Sequence, residues 1–156
     1  MKKAIYPGTF DPITFGHIDL IKKSLNIFDK VIVAVSDGNT KNYLFNAEER
    51  EDLIKKALFN DLKFNKKKII VTSFKTLTTD FCKKMKSNVI IRGLRATSDF
   101  EYEFQLAGMN KKLSSNVETI FLMCDVENQI ISSNFVKEIT KLNGDINKFV
   151  TKSTVK

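Results

Sequence analysis

Five times along this chain a short, β-branched apolar run gives way to a segment with helical periodicity, and that alternation restricts the fold more than any other feature. The runs are residues 2–8 (KKAIYPG), 30–36 (KVIVAVS), 68–74 (KIIVTSF), 88–93 (NVIIRG) and 117–124 (VETIFLMC). Near-continuous Val and Ile, without strict polar alternation, mark strands buried on both faces. Between them, residues 16–28 place Ile18, Ile21, Leu25 and Phe28 on one helical face. Residues 46–59 open with Asn46 and, three positions on, Glu49, an Asn form of the capping box. Residues 78–86, 98–114 (Tyr102, Leu106, Met109 and Leu113 spaced 4-3-4) and 132–142 complete the helices. Strand–helix alternation predicts parallel pairing through right-handed crossovers. The expected fold is α/β: a Rossmann-like, doubly wound, five-stranded parallel sheet with helices on both faces.

One domain is expected over residues 1–156, since no linker, repeat or low-complexity segment divides them, and residues 150–156 read as a frayed tail. No stretch of roughly 20 apolar residues is present for a membrane span. The opening MKKAIYPGTF lacks the apolar run and cleavage site of a secretory signal. A cytoplasmic setting is expected. Cys82 and Cys124 lie too far apart for a disulfide framework or a zinc site, and read as buried or idle thiols. The net charge of +8 suits ligands that carry phosphate. The lysines are scattered, however, and the phenylalanines fall largely in periodic apolar runs, as core. A nucleic-acid module, which needs a continuous basic face with stacking aromatics, is therefore not expected, nor is a membrane partner.

Doubly wound sheets bind ligands beyond the carboxyl ends of their strands, where the strand order reverses. The first strand-to-helix turn, GTFDPITFGH (8–17), ends on the only histidine. Gly8 permits a sharp turn, and Gly16 opens the helix, leaving backbone N–H groups and the positive helix end beside His17. That end disfavours a protonated imidazole unless an anion compensates it. With no second histidine for a metal site or triad, the chemistry left to His17 is hydrogen-bond donation to a phosphoryl oxygen; capping or packing is the plain alternative. Neither a G-x-x-x-x-G-K-[ST] loop nor a G-x-G-x-x-G fingerprint occurs. Arg92, at the end of the fourth strand, and Arg95 suit phosphate oxygens, with ion pairing to Asp99, Glu101 or Glu103 as the alternative. ISSN (131–134) offers hydroxyls and N–H groups at another helix start, where a plain N-cap would need no ligand.

The stretches YPGTFDPIT-GH (6–17), F-AEER (45–50), IRGLRA-SDFEYE-QLA-MN (91–110), FLM (121–123) and ISS--VKE (131–138) together resemble the bacterial phosphopantetheine adenylyltransferase family, of the superfamily with the T/H-x-G-H motif. RGLRA-SDFEYE is the most specific block. The resemblance implies transfer of AMP from ATP to 4′-phosphopantetheine, giving dephospho-coenzyme A and pyrophosphate in coenzyme A biosynthesis, with Mg²⁺ carried on ATP phosphates and no protein metal ligands. Carried over by position, His17, Lys41 and Arg95 form the catalytic set, His17 acting at the α-phosphate. Thr9 and Phe10 would touch substrate and nucleotide, Lys41 the phosphates, and Thr78 the pantetheine arm. Arg92 would hold the phosphopantetheine end. Gly93, Leu94 and Arg95 would line the ATP site with Glu103 nearby, and Asn128, Gln129, Ile130, Ile131, Ser132, Ser133 and Asn134 would wrap the nucleotide. The implied assembly is a homohexamer, a dimer of trimers, with coenzyme A a candidate inhibitor. The chain ends before the family's usual final helix, so different oligomer contacts are expected. Cys124, Asn128 and Asn134 stand where the family commonly has proline, an aromatic residue and Ser or Thr, so adenine contacts are expected to differ. The nearest alternatives are relatives acting on nicotinate mononucleotide, or using CTP with a polyol phosphate; these typically have histidine at the Thr14 position and lack RGLRA.

Overall fold

The computed structural model describes residues 1–38 and 42–155, without the side chains of residues 97 and 98. Strands β1 (Lys3–Gly8), β2 (Lys30–Ser36), β3 (Ile69–Phe74), β4 (Val89–Leu94) and β5 (Glu118–Met123) form one parallel sheet in the order β3-β2-β1-β4-β5. Helices α1 (Phe15–Leu25), α2 (Ala47–Lys55), α3 (Thr78–Met85), α4 (Thr97–Leu113) and α5 (Ser133–Lys141) connect and flank it. The doubly wound α/β architecture expected from the alternation is the one observed.

The period of two along each strand divides the core between the two faces. Val31, Val33 and Val35 of β2 join Ala4, Tyr6 and Ile91 in one cluster with Ile18 and Ile21 of α1 and Ile54 of α2. Ile32 and Ala34 turn the other way and pack with Ile5, Ile90 and Phe81 of α3. A strand sandwiched like this has no polar face to show, which is why its sequence reads as a continuous apolar run. At the start of α2, the Asn46 side chain accepts the Glu49 N–H at 2.8 Å, and the Glu49 carboxylate accepts the Asn46 N–H at 2.8 Å. Cys82 and Cys124 are free and buried, and no helix among the described residues is long and apolar enough to cross a membrane.

Two expectations need correction. Helix α2 gives way after Lys55 to a π-helical turn over Lys56–Asp61, and the Asp61 carboxylate of that turn accepts the Ser153 N–H at 2.9 Å and the Ser153 hydroxyl at 2.8 Å. Burial opposes the Asp61 charge, but those bonds outweigh it and lower its pKa. Val150 packs with Val136 and Ile146, and Thr151 and Thr154 are buried, so residues 150–155 are docked and not frayed. Helix α4 turns its apolar residues outward. It buries Glu103 and Asn110 while Phe100, Tyr102, Phe104, Met109 and Leu113 stand exposed. Its 4-3-4 spacing marks one coherent face, but periodicity does not say what that face meets.

β1 is laddered to β2 from Lys3 to Gly8 but to β4 only at Ile5–Ile90. The chain winds outward from β1 one way through β2 and β3, and the other way through β4 and β5. Between those two directions the sheet opens at its carboxyl end.

Candidate functional site

A cleft of about 730 Å³ occupies that opening. At its floor two glycines lie against neighbouring elements, Gly93 without room for a Cβ and Gly16 at ordinary contact distance. A Cβ on Gly93, at the end of β4, would overlap the buried Leu20 side chain of α1. A Cβ on Gly16 would stand 3.4 Å from the Asn128 carbonyl oxygen and 3.5 Å from that of Ile131. The first turn of α1 is thereby brought against the segment leading into α5.

The β1–α1 turn is shaped by Phe10, a non-glycine residue at φ 48°. That conformation costs on the order of 1–3 kcal/mol and persists only where the surroundings enforce it. The Phe10 ring is 1% exposed and lies edge-on to Tyr6 (centroids 5.3 Å apart) and to His17 (4.9 Å). Phe10 therefore packs its ring against the imidazole, and it is not among the residues that line the cleft.

His17 sits three positions into α1 from its N-cap, Thr14. The Thr14 backbone N–H donates to His17 Nδ1 at 3.0 Å, with the Thr14 hydroxyl 3.2 Å from the same nitrogen. A backbone N–H cannot accept, so Nδ1 is the acceptor, and the neutral ring carries its proton on Nε2. Burial, with Arg95 and Arg92 nearby, depresses the His17 pKa to about 4. Around pH 7 the site thus holds a neutral imidazole whose Nε2–H has no hydrogen-bond partner among the described residues.

Arg92 and Arg95 line the same cleft, and both make the ion pairs of the alternative reading, with Glu103 and Asp99. Arg92 donates from Nε to Glu103 at 2.8 Å, from Nη2 to the other Glu103 oxygen at 2.6 Å, and from Nη1 to the Pro7 carbonyl at 3.1 Å. Burial works against its charge, but Glu103's hydrogen bonds and charge outweigh that and raise its pKa. Both Glu103 oxygens accept from Arg92, which fixes the direction of the guanidinium. Arg95 donates from Nη1 to the Ile131 carbonyl at 3.1 Å and pairs with Asp99 at 3.5 Å, joining the β4–α4 turn to the entry of α5. There the Ser132 hydroxyl accepts the Phe135 N–H at 3.2 Å as the N-cap of α5, while Ser133 donates to the Pro12 carbonyl at 2.8 Å.

Of the residues expected at the site, Thr9, His17, Thr78, Arg92, Gly93, Arg95, Glu103, Ile131, Ser132, Ser133 and Asn134 converge on this cleft. Leu94, Asn128, Gln129 and Ile130 do not line it. Leu94 pairs with Met123 at the strand end, the Asn128 carbonyl packs toward Gly16, the Gln129 amide donates to the Cys124 carbonyl, and Ile130 points outward at 78% exposure. Lys41 lies outside the described residues. Sequence reasoning missed Lys137, a third cation on the cleft wall. The available signal was its place one helical turn beyond Ser133, on the same face of α5.

Nothing described in the cleft has the environment of an activated nucleophile: the Cys124 thiol donates to the Gly16 carbonyl at 3.4 Å, and burial raises its pKa. The cleft carboxylates are spent as well. Asp11 accepts the Leu44 and Phe45 N–H groups at 2.7 and 3.0 Å and faces Lys137 at 3.4 Å, while Asp99 and Glu103 serve the arginines. Among the described residues no group of three His, Cys, Asp or Glu is arranged to hold a metal. The arrangement can bind phosphates and neutralise charge that develops on a phosphoryl group.

A family profile described as cytidylyltransferase-like matches residues 5–139. Over 157 aligned residues the chain is 76% identical to the phosphopantetheine adenylyltransferase of Pelagibacter ubique, covering 100% of this chain and 96% of the relative. It is 48% identical over 154 residues to that of Nautilia profundicola, covering 99% and 97%. Among solved structures, the nicotinic acid mononucleotide adenylyltransferase of Plasmodium falciparum complexed with NaAD superposes with a TM-score of 0.71 at 21% identity, covering 99% of this chain and 93% of that one, a likeness of fold. Full-length identity at the level of the first two relatives, on a sheet whose switch point carries the T-x-G-H turn, makes this chain a member of the phosphopantetheine adenylyltransferase family within the cytidylyltransferase-like nucleotidyltransferases.

Proposed function

We propose that the enzyme transfers AMP from ATP to 4′-phosphopantetheine, releasing pyrophosphate and forming dephospho-coenzyme A, as a cytoplasmic step of coenzyme A biosynthesis. The observation that carries the mechanism is the neutral His17, held by Thr14 with its Nε2–H presented beside two arginines. A phosphate oxygen of the acceptor attacks the α-phosphorus in line, the bond from that phosphorus to the bridging oxygen breaks, and pyrophosphate leaves with the bonding pair. The nucleophile is already an anion, so neither a general base nor a covalent intermediate is required; positioning and charge stabilisation suffice. His17 donates to a non-bridging α-phosphoryl oxygen, while Arg95, Lys41 and Lys137 neutralise the polyphosphate. Arg92, Thr9 and Thr78 hold the acceptor, and Ile131, Ser132, Ser133 and Asn134 border the nucleotide. Mg²⁺ would be held by the phosphate oxygens of ATP, since the cleft carboxylates are already engaged, and would supply countercharge to the departing pyrophosphate.

The same reading makes coenzyme A an inhibitor, because it shares the acceptor's pantetheine arm, and makes the assembly a homohexamer built as a dimer of trimers. The exposed apolar face of α4 supports self-association. Light scattering on the purified protein is expected to give six times the chain mass. The decisive chemistry is a mass-spectrometric identification of products from ATP and Mg²⁺ with each acceptor in turn. Dephospho-coenzyme A and stoichiometric pyrophosphate are expected from phosphopantetheine. Turnover confined to nicotinate mononucleotide, or to CTP with a polyol phosphate, overturns the proposal.

A further inference from the structure

Arg50, in the first turn of α2, has no exposed surface, and its donors reach three separate parts of the chain. Nη1 donates to the carbonyls of Thr9 and Ser36, each at 2.8 Å. Nε donates to those of Phe45 and Asn46 at 3.1 and 3.3 Å, and Nη2 reaches the Asp37 carboxylate at 3.4 Å. The guanidinium also lies 4.0 Å from the centre of the Tyr43 ring. From the other side, Asp11, 1% exposed, accepts the N–H groups of Leu44 and Phe45. Phe45 is thus held by a buried anion at its N–H and a buried cation at its carbonyl.

A buried ion pair is a weak source of net stability, since well-packed apolar side chains of similar volume commonly do as well. What a planar fork of donors supplies instead is fixed geometry among the groups it joins. Arg50 does not line the cleft, whereas Thr9, Ser36, Tyr43 and Asp11, which it touches or faces across Phe45, do. We infer that Arg50 is a positioning residue for the transfer reaction, and that with Asp11 it sets where Thr9 stands relative to the bound acceptor. This rests on the reading above that Thr9 holds the acceptor.

The test is a mutant cycle on an enzyme already shown to make dephospho-coenzyme A, so a failure of the proposed reaction is seen in the wild type before any variant is compared. Arg50→Lys keeps the charge, but one ammonium group cannot span the carbonyls of Thr9, Ser36 and Phe45. It is expected to lower kcat/KM for phosphopantetheine by about 10- to 100-fold, the cost of a misplacement near 1 Å. ATP affinity by calorimetry is expected to stay within a factor of about three. In a Thr9→Ala background, where the positioned side chain is gone, the same substitution should cost less than about threefold, and in a His17→Ala background it should keep its full effect. A loss of equal size in all three backgrounds, or an equal fall in ATP affinity, overturns the inference and leaves Arg50 a general stabiliser. If Arg50→Lys does not fold, Asp11→Asn loosens the same segment from the opposite side, and the cycle is read the same way.

Discussion

Glu103→Gln isolates what aiming a guanidinium is worth. Arg92 has five N–H bonds, three of them spent on the two Glu103 oxygens and the Pro7 carbonyl, which leaves two for a ligand. The amide keeps the shape of the carboxylate but removes its charge, and it turns an N–H toward one of the Arg92 donors it formerly accepted. A hydrogen bond to a charged group contributes about 1.5–3 kcal/mol where both partners are buried. Glu103 is buried, but the Arg92 side chain keeps 24% of its surface, so the estimate belongs at the lower end, about 2 kcal/mol. For a chain of this size that corresponds to a fall in Tm of roughly 4–8 °C. The freed guanidinium swings from its fixed direction, and KM for phosphopantetheine is expected to rise about tenfold, or about 1.4 kcal/mol. KM for ATP should change little. A coupled pyrophosphate assay with each substrate varied in turn, beside a thermal melt, reads both effects. A lowered Tm with an unchanged phosphopantetheine KM would refute the reasoning, because Glu103 would then support only the fold and Arg92 would not hold the acceptor.

His17→Ala removes the one donor assigned to the α-phosphoryl oxygen and should lower kcat by two or more orders of magnitude, with nucleotide affinity falling much less; near-normal turnover ends that role. Asp61→Ala should cost about 1–2 kcal/mol in urea unfolding at pH 7 by releasing Ser153. Because the folded-state pKa of Asp61 is lowered, this stabilisation is present above the ordinary carboxylate range and disappears as pH falls through it. Wild type and variant should therefore converge in acid, and a gap that does not change with pH contradicts the anchoring.

The parts of this molecule legible in its sequence are those fixed by near neighbours. The capping box at Asn46 and Glu49 is a four-residue event and forms as read. The run at 30–36 announces a strand covered on both sides, and Val31 to Val35 are all fully buried. The T-x-G-H turn could be placed at the first strand-to-helix connection because the alternation marks it, and the observed strand order puts that connection at the switch point. What stayed hidden depends on distant partners. Arg50 is an ordinary surface residue by composition, and its burial is explained by carbonyls as far away as Thr9, 41 positions earlier. The tail TKST contains no apolar anchor, and the carboxylate that holds it lies 92 positions upstream. Tyr102, Met109 and Leu113 form a stripe that reads the same whether it faces a core or another molecule. Phe10 reads as a contact residue, yet its positive φ turns the ring inward beneath His17.

Because the chain has one histidine, its imidazole gives a single set of ¹H and ¹⁵N resonances, and the protonation state on which the mechanism depends can be observed directly. The measurement is a long-range ¹H–¹⁵N correlation spectrum of ¹⁵N-histidine-labelled protein, recorded from about pH 5 to 8 with and without a non-hydrolysable ATP analogue. The ring should remain the neutral Nε2–H tautomer throughout that range, and the Nε2–H signal should move when nucleotide binds. Titration with a midpoint near the ordinary value of about 6.5, a proton on Nδ1, or a ring indifferent to nucleotide would contradict the account.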